Sequence, residues 1–498
     1  MNTSEKIITA VNQAVDGNHS REDAIRAITD EDLIDVLFDS ATGDSIEPLC
    51  AGIAASPGAA SGKLCLSVDA VLEVVDAGEQ AIMVAMETGP ADEPGMRWAA
   101  GIVTAYGGLA SHAAIYSRGL GLPAVCGVEM LKVEEGRIRF GETVILEGDI
   151  ISIDGASGEV FAGEIEISDA TAPEELATLL DWADDLRSNK VQVWANADTE
   201  EEASEARSAG AAGIGLCRTE HMFLGDRLPV IRQLLKATDT DERKTALEEL
   251  QKAQQTDFEH VLRPMDGLPV TVRLLDAPLH EFLEETEEQN PMLGLRGIRL
   301  AITTEDLYRA QTRALLAAVQ ERISQGGNPK VEIMVPLVSL QEELILVLGW
   351  IRDELNDSPI PVPVGTMIET PRAALIAGDL AKHIDFISFG TNDLTQMTFG
   401  FSRDDVEVSV INEYIEKELL EKSPFETLDI GGVGQLITIA ISQSKQVNPN
   451  IKIGICGEHG GDPASIRFLA DAGVDYVSCS PPRIPIARLI SSQTLIDS

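Results

Sequence analysis

Apolar positions in residues 4–37 recur at helical spacing: Ile7, Ile8, Val11 and Val15 lie on one stripe, followed by Ala24, Ile25, Ile28, Leu33, Val36 and Leu37. Residues 1–50 therefore read as a small helical segment. The stretch 52–62, GIAASPGAASG, interrupts that period with small residues and marks a boundary. From there short β-like pieces at 64–68, 81–85, 101–104, 143–146 and 150–153 alternate with helical runs and Gly turns, which predicts one compact α/β domain over 51–163. Thr171-Ala172-Pro173-Glu174 then has the form of a capping box. It is expected to open a helix with Leu176, Leu179, Leu180, Ala183 and Leu186 on one side, making 164–189 a helical linker on which one domain can swing.

From residue 190 the pattern changes to short apolar strands, each followed by a loop and then usually a helical stretch. The candidates are 191–195, 213–216, 270–274, 293–298, 331–335, 364–368, 386–389 and 453–456. Eight strands match the count of a closed β/α barrel over 190–498. An open doubly wound sheet is the alternative, because spacing alone does not close a barrel. Polar residues gather just after these strands. Arg218, Thr219 and Glu220 follow the second, Arg273 ends the third with Asp276 beyond it, and Arg296 belongs to the fourth. Glu369 ends the sixth, Asn392 and Asp393 follow the seventh, and Cys456 and Glu458 close the eighth. In a barrel they converge on one mouth, where such folds place their chemistry. Taken singly, each is as readily a rim salt bridge.

Composition narrows the classes of function. With 498 residues, 44% of them apolar, the chain has room for about three domains with substantial cores. The 82 acidic against 38 basic residues give a formal charge of -44, which argues against a general nucleic-acid or anionic-membrane surface. Such an acidic surface suits a high-salt cytoplasm, and equally an ordinary cytosolic enzyme. Cys50, Cys65, Cys126, Cys217, Cys456 and Cys479 are scattered, with no CxxC pair and no zinc-like spacing, so reduced thiols are expected. The first residues are too polar for a signal peptide, and no run approaches the roughly 18 apolar residues of a membrane span. The expected location is cytoplasmic.

The richest chemical signal lies at Gly107-Gly108-Leu109-Ala110-Ser111-His112. Two glycines permit a tight turn or close backbone approach, Ser111 can cap a helix, and 113–118 read as a short helical run closed by Gly119. His112 then sits in the first helical turn, where exposed N–H groups and the macrodipole disfavour an imidazolium and welcome an anion. That suits a neutral imidazole that attacks phosphorus and then carries a phosphoryl group; the pattern alone equally suits a packing or capping histidine. Glu369 and Asp393 offer hard oxygens for Mg2+, which keeps positions for water and substrate oxygens. Arg218, Arg273 and Arg296 offer bidentate donors for a phosphate and a carboxylate, so the expected substrate is a small phosphorylated acid. Cys456 precedes Gly457, which leaves its thiol open to a ligand; a thiol can deliver a proton to an enolate carbon, although cysteine is also often just a small buried hydrophobe. A phosphate loop at 58–63 is excluded, because it is one residue too short and Leu64 replaces the magnesium-binding Ser or Thr.

Taken together, GGLASHAAIYSRGLGLPAVCG, GIGLCRTEHMF, VRLLDAPLHEF, NPMLGLRGIRL, GTMIETPRAAL, ISFGTNDLTQMTFGFSRDD, GICGEHGGDP and YVSCSPPRIPIARL resemble the pyruvate, phosphate dikinase family, within the wider class that uses phosphoenolpyruvate. The resemblance runs from about Gly52 to the C-terminus. It implies a swivelling phosphohistidine domain followed by a (β/α)8 barrel of the phosphoenolpyruvate/pyruvate type. His112 is then the phosphorylated residue, and Arg273, Arg296, Glu369, Gly390, Thr391, Asn392 and Asp393 bind the substrate or its magnesium. Cys456 is the implied proton donor. A homodimer through the barrel is the implied assembly.

Three departures from the family pattern change the expectation. Only about fifty residues precede Ala51, too few for the ATP-grasp nucleotide domain that family members carry there, so the chain is expected not to use ATP alone and a separate nucleotide-binding chain becomes a possible partner. Ala110 stands where the family commonly has a regulatory threonine, although Ser111 remains. The segment between the HEF and NPMLG motifs is cut to 283–289, which is expected to alter the barrel mouth or its edge. The reading is a phosphotransferase that interconverts phosphoenolpyruvate and pyruvate through a phosphohistidine, with neither nucleic acid nor membrane as partner. One alternative is a phosphoenolpyruvate-protein phosphotransferase, disfavoured because the helical carrier-docking insert is missing. Another is a non-catalytic phosphoenolpyruvate sensor, which needs no proton donor.

Overall fold

Three helices open the chain, Thr3–Val15, Arg21–Ala27 and Asp30–Leu37, and each starts with a reciprocal cap: Asn2 with Glu5, Ser20 with Asp23, Thr29 with Asp32. Their apolar stripe, Ile7, Val11, Ile25, Ile28, Leu33 and Val36, is buried. The C-terminal helix Ile484–Asp497 is tied to this segment by Gln493, whose Nε2 donates to the carbonyls of Ile25 at 2.9 Å and Ile28 at 2.7 Å. The computed structural model describes residues 2–42, 46–109, 111–187, 190–223, 227–237, 239–283, 288–406 and 410–497. By internal contacts the chain divides into two units, Met1–Leu186 with Phe401–Thr427 and Arg488–Ser498, and Arg187–Gly400 with Leu428–Ala487.

The first unit is built on an eight-stranded sheet in the spatial order Cys50–Ala51, Glu159–Ala162, Ile150–Asp154, Ala59–Cys65, Ala81–Ala85, Gly101–Thr104, Ala124–Cys126, Ile53–Ser56. The four strands from Ala59–Cys65 to Ala124–Cys126 run parallel. Side-chain alternation divides the core. Leu64, Ile82, Val84 and Val103 pack with Leu131, Ile138, Phe140 and Ile145 of a separate three-stranded sheet. Cys65, Met83 and Ile102 pack instead with Val71, Met96, Ala113 and Ala114 from three helices. The strand expected at 64–68 ends at Cys65, because Ser67 caps the helix Val68–Asp76.

The second unit contains a closed barrel of β1 (Gln192–Asn196), β2 (Ile214–Arg218), β3 (Pro269–Arg273), β4 (Lys330–Val335), β5 (Val364–Ile368), β6 (Phe386–Phe389), β7 (Lys452–Ile455) and β8 (Tyr476–Cys479). Every neighbouring pair is parallel, and β8 pairs back onto β1. Aromatic side chains fill the interior opposite glycines. A Cβ on Gly454 would lie 1.9 Å from the Tyr476 ring, and one on Gly365 would lie 2.6 Å from the Phe386 ring. Only glycine leaves room for those rings.

Two strand expectations are corrected by the structure, and they offset each other in the count. Residues 293–298 form no strand. Pro291 starts a short 3-10 turn, and Gly297, at φ 54°, opens the helix Gly297–Thr303. The strand that spacing alone does not reveal is β8. Arg296 therefore lies in the connection after β3 rather than on a strand, Glu369 follows the fifth strand rather than the sixth, Asn392 and Asp393 follow the sixth, and Cys456 follows the seventh. The mouth assignment is unchanged, because all still lie at C-terminal ends of strands. Among the described residues no helix is long and apolar enough to cross a membrane.

Candidate active site

His112 is the first residue of the helix His112–Leu120, and Ser111 caps it by accepting the Ala114 N–H at 3.4 Å. The helix closes at Gly121 rather than Gly119; at φ 65° Gly121 takes the left-handed conformation that glycine adopts without strain. Thr88 Oγ1 lies 3.1 Å from His112 Nδ1, and Glu93 Oε1 lies 3.3 Å from Nε2. Tyr116 stacks on the imidazole with ring centroids 5.9 Å apart and donates its hydroxyl to the Glu93 carbonyl at 3.3 Å. A Cβ on Gly107 would come within 2.8 Å of the Ser111 side chain, which is the close approach the paired glycines permit. Arg118 donates to the carbonyls of Ala55, at 3.0 Å, and Leu109, pinning the loop before His112. Ala110 lies outside the described residues.

At the barrel mouth each sequence-derived arginine is held by carboxylates. Asp198, after β1, accepts the Arg218 backbone N–H at 2.6 Å and Arg218 Nε at 2.9 Å. Arg273 pairs with Glu220 and, at 3.3 Å, with Asp276. Arg296 donates twice to Asp276, at 3.0 and 2.8 Å, and reaches Asp393 at 3.2 Å. Paired guanidiniums keep a fixed plane, and the N–H groups not spent on carboxylates remain for an anionic ligand. Burial alone would raise the Asp198 carboxyl; the Arg218 charge and the His221 ring overcome it and hold the group well below the usual carboxylate range. Gln311 and Tyr308 steady the β3 loop: Gln311 accepts the Leu275 N–H at 2.9 Å, and the Tyr308 hydroxyl donates to the Leu275 carbonyl at 2.9 Å.

Glu369 is 1% exposed, and its Oε1 accepts the Leu337 N–H. Its Oε2 is buried without a hydrogen-bond partner, and Gly390 is pressed so close that a Cβ there would lie 2.9 Å from that oxygen. Burial, then the neighbouring Asp276 and Asp393 charges, push the Glu369 carboxyl up to about 8 against the pull of Arg273 and Arg296. An orphaned carboxylate oxygen in an acidic, buried place is a fit for a hard divalent cation. Among the described residues no set of three or more His, Cys, Asp or Glu side chains could hold a metal. A cation held by Glu369 and Asp393 would take its remaining ligands from substrate oxygens and water.

Cys456 is 3% exposed and packs with Leu216, Met334, Met367 and Phe386; its thiol lies 3.5 Å from the Phe389 carbonyl. Burial pushes the thiol up to about 12, so at neutral pH it holds its proton. Its backbone is fixed from β1, where Asn196 Nδ2 donates to the Cys456 carbonyl at 3.2 Å. The following residues dock on the Asp393 helix. A Cβ on Gly457 would lie 2.0 Å from Thr391 Oγ1, the Glu458 N–H donates to Asn392 Oδ1 at 3.1 Å, and His459 Nδ1 is 2.7 Å from Thr391 Oγ1.

The structure thus gathers Arg218, Arg273, Arg296, Glu369, Gly390, Thr391, Asn392, Asp393 and Cys456 at the C-terminal ends of the barrel strands. Thr88, Glu93, Asp198, His221 and His459 were missed by the sequence reading. The signal for Asp198 was present, since it follows β1 as Glu369 follows β5; Thr88 likewise follows the strand Ala81–Ala85. Of the shortened segment 283–289, residues 284–287 lie outside the described residues.

Comparison with known proteins agrees with this architecture. Residues 173–495 match the family model described as PEP-utilising enzyme, PEP-binding domain, and 77–158 match PEP-utilising enzyme, mobile domain. The chain is 44% identical over 502 residues to the chloroplastic pyruvate, phosphate dikinase of Mesembryanthemum crystallinum, covering 93% of this chain and 53% of that protein. Against the pyruvate, phosphate dikinase of Rhizobium meliloti (strain 1021) it is 43% identical over 524 residues, covering 98% of this chain and 58% of the relative. The chain thus spans about half the length of the curated relatives it matches. One solved structure, a citrate lyase from Burkholderia xenovorans LB400, aligns at a TM-score of 0.34 and 14% identity over 61% of this chain and 77% of its own, too distant to bear on the reading. With the barrel-domain model matched across most of the chain and the mobile-domain model matched around His112, the chain belongs to the PEP-utilising enzymes.

Proposed function

We propose that this chain carries out the phosphoenolpyruvate/pyruvate half of a pyruvate, phosphate dikinase reaction, with 51–163 as the phosphohistidine domain and 190–498 as the substrate barrel. The observation that carries the reading is the buried Glu369 carboxyl, with one oxygen unpartnered, in the same cluster as Arg273 and Arg296 and a protonated Cys456 thiol. A binding module has no use for the last of these.

In the proposed reaction a ring nitrogen of His112 attacks phosphorus, the bond from phosphorus to the enol oxygen breaks, and its electron pair stays on that oxygen as pyruvate enolate. Cys456 then gives its proton to the enolate carbon, and the resulting thiolate, strongly basic in its buried place, recovers a proton on product release. Arg273 and Arg296, fixed by Glu220, Asp276 and Asp393, hold the anionic groups in one orientation. Mg2+ bound by Glu369 and Asp393 would supply neutralisation of the charge on phosphoryl and enolate oxygens. The reverse sequence makes phosphoenolpyruvate from pyruvate and the phosphohistidine.

The test is incubation of the full chain with 32P-labelled phosphoenolpyruvate and Mg2+. Acid-labile label on His112 with one equivalent of pyruvate released is the expected result. Binding of phosphoenolpyruvate with no label on His112 would reduce the chain to a sensor, and onward transfer from His112 to an added carrier protein would make it a protein phosphotransferase.

A further inference from the structure

His221 stands directly after the strand-end residues Arg218, Thr219 and Glu220, in the short turn His221–Phe223. Its Nδ1 lies 2.9 Å from Asp198 Oδ2, the same oxygen that takes Arg218 Nε at 2.9 Å. The Asp198 side chain is 4% exposed whereas that of His221 is 43% exposed, so a buried carboxylate anchors a ring whose other edge is open. Among the described residues His221 Nε2 has no hydrogen-bond or ion-pair partner. A histidine that donates Nδ1–H to a carboxylate has its ring orientation fixed; its Nε2 is an acceptor in the neutral ring and becomes an outward N–H donor only on protonation. Beside it, the terminal nitrogens of Arg218 likewise have no hydrogen-bond partner among the described residues, so two side chains anchored on one carboxylate keep nitrogens available at this strand end.

We infer that His221 is a substrate-binding residue, its ring standing beside Arg218 as a second group for the phosphoryl group of phosphoenolpyruvate, with Asp198 as the positioning residue for both. The inference rests on the proposed substrate and extends it to a residue outside the catalytic set. The charges that face His221 come from three connections: Asp198 after β1, Arg218 and Glu220 after β2, and Glu281 from the helix Leu279–Phe282 after β3. Burial alone would lower the His221 ring; the Asp198 hydrogen bond and charge, with Glu220, outweigh burial and the Arg218 repulsion and hold it above the ordinary histidine value. The added donor is therefore present below the ordinary histidine value and is lost as pH rises through the raised one.

The test measures the dissociation constant of phosphoenolpyruvate by calorimetry on the full chain with Mg2+ from pH 6 to 9, for wild type, His221→Gln, His221→Lys and Asp198→Asn. Phosphoenolpyruvate is a phosphate monoester that itself titrates at about 6, so each variant is compared with wild type at the same pH. The expected result is about tenfold weaker binding by His221→Gln at the acid end, the scale of one charge-assisted donor, with the difference vanishing at the alkaline end. His221→Lys should restore the acid-end affinity and carry it into alkali, and Asp198→Asn should move the wild-type limb to lower pH. Affinity of His221→Gln equal to wild type at every pH, or an equal loss at every pH, would overturn the inference. Label transfer to His112 is followed in the same samples. Wild type that binds but does not label would sink the proposed reaction while leaving the role of His221 measurable.

Discussion

Glu93 holds His112 on the nitrogen opposite Thr88, at 3.3 Å from Nε2 against 3.1 Å from Nδ1. An ionised carboxylate only accepts hydrogen bonds, so Nε2 is the donor in this arrangement, and the Thr88 hydroxyl, which can do either, donates to Nδ1. For phosphorylation at Nε2 that contact has to open. A phosphoryl group placed there then meets a like charge. Glu93→Gln removes the repulsion and keeps the shape, so the fraction of His112 phosphorylated at a fixed ratio of phosphoenolpyruvate to pyruvate should rise by about two- to five-fold, a modest effect because Glu93 is partly exposed. Label at equilibrium on wild type and mutant is the measurement. An unchanged or lower fraction in the mutant would show that Glu93 plays no such part.

Cys456 offers a sharper division. Among the described residues its thiol makes no hydrogen bond to the arginines or the carboxylates, so Cys456→Ala should bind phosphoenolpyruvate as wild type does and lose turnover by on the order of 10²- to 10⁴-fold, the usual worth of a positioned general acid. Solvent deuterium entering the pyruvate methyl group reports the step directly. Equal deuterium incorporation in the two proteins, with only a lower melting temperature in the mutant, would mark Cys456 as a packing residue.

Much of this arrangement is legible in the sequence, and the parts that are not have physical reasons. Strands such as Lys330–Val335 and Val364–Ile368 announce themselves because they are buried along almost their whole length and are built on Val, Ile and Met. Tyr476–Cys479 is just as buried but only four residues long, and its Ser478 spends its hydroxyl on Asn196. Residues 293–298 mislead in the other direction. Leu293, Leu295 and Ile298 suggest a strand, yet Pro291, Gly294 and Gly297 decide the backbone. The candidate ligand groups are legible because arginine, glutamate and cysteine gather at strand ends in such number. The partners that aim them, Asp198, Glu93 and Thr88, are not, because an isolated Asp, Glu or Thr after a strand carries no chemistry until its neighbour is known.

The proposed metal site has a readout apart from turnover. Glu369 is crowded by Asp276 and Asp393 in a buried place, so Glu369→Gln should leave the melting temperature without Mg2+ unchanged or higher. Added Mg2+ should then raise the melting temperature of wild type and not that of the mutant, since a ligand that binds only the folded state stabilises it by mass action. Asp393→Asn should lose the same Mg2+ effect, but it also releases Arg296 and so should melt lower. Equal stabilisation of all three proteins by Mg2+ would place the cation elsewhere.

At the opposite end of the barrel Lys452, the first residue of β7, closes the floor. Its Nζ pairs with Glu332 of β4 and lies 4.7 Å above Trp194, 5.1 Å from Phe386 and 5.7 Å from Tyr476, all measured to ring centroids. Thr271 donates to the other Glu332 oxygen at 3.0 Å, so the carboxylate is paired on both sides while only 10% of its side chain is exposed. Removing the cation alone strands that carboxylate. Lys452→Met should therefore cost about 2–3 kcal/mol of stability, below the full penalty for a broken buried pair because the lysine is partly exposed. Converting Glu332 to Gln in the same chain should return most of it, since Gln keeps the Thr271 contact and carries no charge. Because Lys452 lies at the N-terminal end of its strand, the affinity for phosphoenolpyruvate should not change in either variant. Chemical denaturation with calorimetry decides it: a Lys452→Met protein as stable as wild type, or one whose substrate affinity falls with its stability, would mean that this pair is not a separate structural lock on the barrel floor.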